Sequence, residues 1–168
     1  MSEIRIDSLL PAEMATRAEY LGVRKAEMPL FTMLMLSILA GAFIALGAIF
    51  ATTVAAGGMS VTATDGTVAF STGFPYGVTR LLTGLVFCLG LILVVVGGAE
   101  LFTGNNLIVM AWASGKGTGR ALLRNWVIVY TGNFIGSVAT AVMMFFTRQY
   151  TFGSDSVGIT AMKIAVGK

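Results

Sequence analysis

Residues 95–104 read VVGGAELFTG. They close an apolar run without charge, residues 81–99, and lead into Glu100, Thr103, Asn105 and Asn106. A second apolar piece, residues 107–114, follows, too short to cross a bilayer where a span takes about 20 residues. Two short apolar segments around a polar, Gly-bearing break predict one discontinuous membrane helix. Hydropathy alone fits equally well a complete span followed by an interfacial segment.

The rest of the chain agrees with a membrane setting. Its 168 residues are 56% hydrophobic and only 11% charged, too little charge to cover a soluble surface of this size. Mean hydropathy is +0.85. Residues 31–55 form a first apolar span and residues 125–147 a third, each able to cross a ~30 Å hydrocarbon layer. Gly132 and Gly136 make a GxxxG pair of the kind that lets helices approach closely. Residues 57–76, rich in Gly, Ser and Thr, read as a loop on the far side. Residues 150–158 read as a polar turn, after which another apolar stretch begins. The organisation expected is an amphipathic segment over 1–30 and a three-span repeat over 31–147, its second span (81–114) broken near 100–106. A turn and the start of a fourth span fill 148–168.

Residues 11–27 have a loosely helical apolar pattern with Pro11 in the first turn, and read as a helix on the membrane surface. Arg5, Arg17, Arg24 and Lys25 precede the first span, and Lys116, Arg120 and Arg124 follow the second. No Lys or Arg lies between the first span and Arg80, so the positive-inside rule places the N-terminus in the cytoplasm. The net charge of +3 gives no support for nucleic-acid binding. There is no histidine and one cysteine, Cys88, so neither His-based metal chemistry nor an internal disulfide is available. No cofactor is called for, and no paired carboxylates or phosphate-cradling loop suggest an enzyme.

The chemistry concentrates at the break. Polar groups beside a span are costly unless they have partners or line an aqueous path. A half-helix starting near Asn106 would offer N–H groups and a partial positive charge to an anion. The other reading is that Glu100 caps or salt-bridges a helix end at the membrane surface.

Residues 95–104 also match, position by position, the first signature of the formate/nitrite transporters. Around it, FCLGLIL at 87–93 resembles the helix before the family's break, and LIVMAWASG at 107–115 the half-helix after it. NWVIVYTGNFIG at 125–136 resembles the third span, and residues 11–25 the amphipathic lead-in. The resemblance implies an all-α, aquaporin-like bundle assembling as a homopentamer in the bacterial inner membrane, with one pore per protomer for a small anion such as formate. It places Phe87 at an outer hydrophobic constriction and Leu91, Leu101 and Phe102 at an inner one. Glu100, Thr103, Gly104, Asn105 and Asn106 become the gate loop, with Thr103 the gating residue, and Lys168 the anion-attracting lysine. The anion is expected to take a proton and cross as the neutral acid.

The chain also departs from the pattern. The family has about six spans in two inverted repeats, and this chain resembles one repeat and the start of the next. The second signature and the pore histidine are missing, so an N-terminal portion of a longer transporter is expected, without normal transport of its own. The gate sequence TGNN keeps nitrite and hydrosulfide open as substrates. A non-transporting three-span membrane subunit is the other alternative.

Overall fold

The computed structural model describes residues 10–57, 60–62, 68–71 and 73–167. Three of its helices are long and apolar enough to cross a membrane: α2 (Leu30–Ala55), α3 (Tyr76–Val96) and α6 (Gly119–Phe146). Ahead of them, α1 (Pro11–Ala26) begins with proline in its first turn, and Glu13 accepts a hydrogen bond from the Leu10 N–H at 3.0 Å. Short helices α4 (Phe102–Asn105) and α5 (Ile108–Ala113) follow the break, and α7 (Ser156–Val166) ends the described chain.

The α2–α6 pair is the most extensive interface, and small residues make it. The buried positions of α6 are Leu122, Asn125, Val129, Gly132, Gly136 and Thr140, a single stripe at helical spacing. Against it α2 sets Met33, Ser37 and Gly41. The GxxxG pair lies in this contact: a Cβ on Gly136 would stand 2.0 Å from the Ile38 carbonyl oxygen. On its other side α2 crosses α3 at Gly47 and Gly90, again backbone to backbone. Only 11% of the central window of α3 is buried, against 28% for α2 and 22% for α6. α3 therefore has one covered edge and a broad uncovered face.

Several boundaries differ from the sequence expectation. α3 starts at Tyr76, not Leu81, because Pro75 supplies an extended residue before the first turn, and Arg80 falls inside the helix. α6 starts at Gly119 because the Thr118 hydroxyl accepts from the Ala121 N–H at 3.2 Å. The far-side segment is not simply a loop: β1 (Ser60–Thr62) pairs antiparallel with β2 (Val68–Ser71), as their Val, Thr and Phe content favours. The turn after α6 lies three residues earlier than expected, at 147–155, and α7 begins at Ser156 after left-handed residues at Gly153, Ser154 and Asp155.

α1 does not depend on lipid alone. Gly22 lies against Leu107 and Ala111, and Ala26 packs with Ile108 and Leu122. Leu10, Met14, Tyr20 and Leu21 stay exposed, leaving an apolar face for the membrane surface.

Candidate functional site at the helix break

The break is made by the glycines, not by the charge. Gly97 caps α3 with its N–H on the Leu93 carbonyl at 2.8 Å, and Gly98 takes φ +60°, where side-chain-bearing residues are strained. Ala99 returns its N–H to Val94 at 3.0 Å, completing the helix end. The chain then runs extended through Leu101, and helix resumes at Phe102. The interruption thus covers residues 97–101, about a turn before the 100–106 expected from polarity, and the new helix starts at Phe102 and not near Asn106.

Extended backbone at membrane depth needs partners. Glu100 gives its N–H to Leu36 O at 3.2 Å. Asn133 of α6 supplies the remainder: its Nδ2 donates to Ser37 O at 2.8 Å and Glu100 O at 2.9 Å, and its Oδ1 accepts the Phe102 N–H at 2.9 Å. One amide side chain thereby ties α2, the break and the new helix together.

Glu100 is buried, at 4% exposure, and Lys25 Nζ donates to its Oε1 at 2.7 Å. The same ammonium donates to Asn105 Oδ1 at 3.0 Å. Asn105 Nδ2 donates to Asn125 Oδ1 at 2.8 Å, and Asn125 Nδ2 to Lys25 O at 3.1 Å, closing a ring from α1 through the break to α6. Trp126 Nε1 donates to Asn105 O at 3.4 Å. Glu100 Oε2 has no hydrogen-bond partner among the described residues. Of the two readings of Glu100, the structure shows the ion pair. Glu100 and Asn105, expected in the gate loop, point into protein and hold the loop from behind.

A second tether joins α1 to the end of α5. Glu19 accepts from Ser114 Oγ at 2.5 Å and pairs with Lys116. The Lys116 ammonium, with Ser114 beside it, holds the Glu19 carboxyl below the ordinary 4.5. A pKa lowered on folding gives a contribution present above the ordinary value and lost as pH falls through the folded one. A spin label at Thr16→Cys, in a Cys88→Ala background, should gain mobility on acidification below pH 4.5. With Glu19→Gln it should be mobile at neutral pH already.

The remaining expected site residues divide. Phe87 and Leu91 lie i, i+4 on the uncovered face of α3, 42% and 52% exposed. Thr103, Gly104 and Asn106 are exposed at the break. Leu101 packs on the Ala40–Val94–Ala99 cluster, whereas Phe102 turns to α6, its ring 5.6 Å from Tyr130 and 6.1 Å from Trp126. Lys168 lies outside the described residues. Among the described residues no group of three or more His, Cys, Asp or Glu comes together to hold a metal. Sequence reasoning missed Lys25, Asn125 and Asn133 as parts of the site. The signal was present: asparagines inside an apolar span are costly without partners.

A family model described as formate/nitrite transporter matches residues 12–168. The chain belongs to the formate/nitrite transporter family. It is 37% identical over 161 residues to the formate channel FocA of Haemophilus influenzae and 39% over 159 residues to that of Escherichia coli. These matches cover 96% and 95% of this chain, but 52% and 51% of those proteins. A solved structure described as a pentameric formate channel with formate bound matches with a TM-score of 0.68 at 42% identity, over 83% of this chain and 49% of that one. The chain spans about half the length of the curated relatives it matches. Membership makes it a helical, multi-pass membrane protein of a transporter family and not an enzyme.

Proposed function

We propose that this chain contributes half of a transmembrane pore for small monovalent anions, formate first among them, in a pentameric assembly. One observation carries the reading. Thr103 is exposed at a helix break fixed from behind, and the apolar stripe of Phe87 and Leu91 stands uncovered on the helix that enters the break. A fixed loop with one exposed hydroxyl suits a gate. An apolar slit opposes a hydrated anion, because removing its water is expensive. Thr103 and Gly104 lie in the first turn of the new helix, where N–H groups have no acceptor within the turn. These donors and the hydroxyl offset part of the dehydration cost. Formate is favoured because the compared channels are named for it.

The N-terminus is assigned to the cytoplasm. The Glu19–Lys116 pair puts α1 and the loop after α5, the two Lys/Arg-bearing segments, on one side of the membrane. Proton-coupled passage needs a proton donor from the other half of the pore.

The test is labelled-formate uptake into proteoliposomes holding this chain together with the C-terminal half of the Escherichia coli relative. Uptake should exceed that of either half alone. Thr103→Val, which keeps shape and removes the hydroxyl, should lower it about tenfold, the scale of one lost hydrogen bond to a charged group. Uptake no greater than with the C-terminal half alone refutes the proposal.

A further inference from the structure

Two cations enter apolar helices on the side away from α1. Arg80 lies in the second turn of α3, and Lys163 is the only charged residue within α7. Charges inside membrane helices are rare and mark ion paths when they face a cavity. Both line one cavity of about 460 Å³, together with Tyr76, Thr79, Thr83 and Thr160. Among the described residues no carboxylate lines it. The ion pairs among the described residues are Lys25–Glu100 and Lys116–Glu19, so neither cation has an ion-pair partner among them. Arg80 is held at the wall over the Tyr76 ring, 5.0 Å from its centroid. Thr79 and Thr83 direct their hydroxyl protons to the backbone oxygens of Phe74 and Thr79, at 3.3 and 2.7 Å. Among the described residues the donors left for a ligand are the guanidinium, the ammonium and the hydroxyls of Thr160 and Tyr76.

The position of Arg80 on its helix adds the second argument. Arg80, Phe87 and Leu91 are spaced i, i+7 and i+11, which at 3.6 residues per turn puts them within about 40° of arc. Arg80 thus heads the stripe that carries the proposed constriction, about 10 Å before Phe87 along the axis. Unpaired positive charge in a partly enclosed cavity raises the local concentration of anions.

We infer that Arg80, Lys163 and Thr160 form an outer capture site for a small singly charged oxyanion, a carboxylate or its like, ahead of the apolar stripe. The inference rests on the reading of Phe87 and Leu91 as pore-lining. Singly charged oxygen ligands also come from lipid phosphates, and the experiment separates the two sources.

The chain with Cys88→Ala and Thr83→Cys, in phosphatidylcholine nanodiscs, is treated with negatively charged sulfonatoethyl and positively charged trimethylammonium-ethyl methanethiosulfonates. The ratio of negative to positive reagent rates should fall about tenfold in Arg80→Gln/Lys163→Gln, the scale expected for two nearby charges screened by water and salt. Arg80→Lys/Lys163→Arg should keep it, which controls for misfolding. Formate should slow the negative reagent more than chloride does. An unchanged ratio in the glutamine variant overturns the site. So does protection by phosphatidylglycerol with none by formate, since the cations then hold a headgroup. An unchanged ratio alongside normal formate uptake removes this site and leaves the proposed function standing. Absent uptake with the expected ratio and formate protection does the reverse.

Discussion

Lys25→Met should release α1 from the helix break and cost about 3–5 kcal/mol, the scale for stranding one member of a buried ion pair. Glu100 would remain at 4% exposure with no cation, and its Oε2 already has no partner among the described residues. At the same time Asn105 Oδ1 would lose the donor that now stands 3.0 Å away. The loss should be non-additive: adding Glu100→Leu to Lys25→Met should recover much of it, because the charge that suffers is then gone. Unfolding in mixed micelles with increasing dodecyl sulfate would measure the cycle. Single and double variants of equal stability would show that the pair is solvated and unimportant. The same variant bears on function. The ring through Lys25, Asn105 and Asn125 fixes the loop that presents Thr103, so formate uptake should fall with Lys25→Met in the two-half assay even in the folded fraction.

Gly136→Leu should abolish folding of the α2–α6 pair, and Gly136→Ala should already be destabilising by about 1–3 kcal/mol, as overpacking is. A Cβ at this position meets the Ile38 carbonyl oxygen at 2.0 Å and the Ala42 nitrogen at 2.9 Å, and backbone cannot rotate away as a side chain can. The helices must separate. Separation stretches the Ser137 hydroxyl bond to Gly41 O, now 3.1 Å, and the Asn133 bond to Ser37 O. Loss of the second also unties the Glu100 carbonyl and the Phe102 N–H, so a packing fault in mid-span reaches the break. Gly132→Ala should be milder: its nearest obstacle is the Ser37 hydroxyl, a side chain, though one that already donates to Leu34 O at 2.8 Å. Gly84→Ala is the control. Nothing lies within 4 Å of its Cβ, and alanine is the better helix former, so stability should hold or rise. Yield of monodisperse protein and the same dodecyl sulfate titration rank the series. A tolerated Gly136→Leu would contradict the close crossing.

By itself the sequence determined the membrane class and the three apolar spans, and it marked the place of a break that hydropathy alone left open. Hydropathy is additive along the chain, so a run such as residues 31–55 declares itself without knowledge of any neighbour. The GxxxG spacing of Gly132 and Gly136 pointed to close packing for the same local reason. The stretch at residues 95–104 was legible as an interruption, but its polarity drew attention to residues 100–106, whereas the helix ends at Gly97–Gly98, where backbone conformation decides. Tertiary structure alone decided what the polar residues do. Glu100 is equally a gate, a cap or an ion-pair partner until Lys25, some 75 residues earlier, arrives at 2.7 Å. Asn125 and Asn133 are two polar residues in a span until folding sets one against Asn105 and the other against the Glu100 and Phe102 backbone. Hydrogen bonds are directional and short, so the partners of a buried polar group are fixed by where the helices cross, which the linear pattern of apolar residues does not encode.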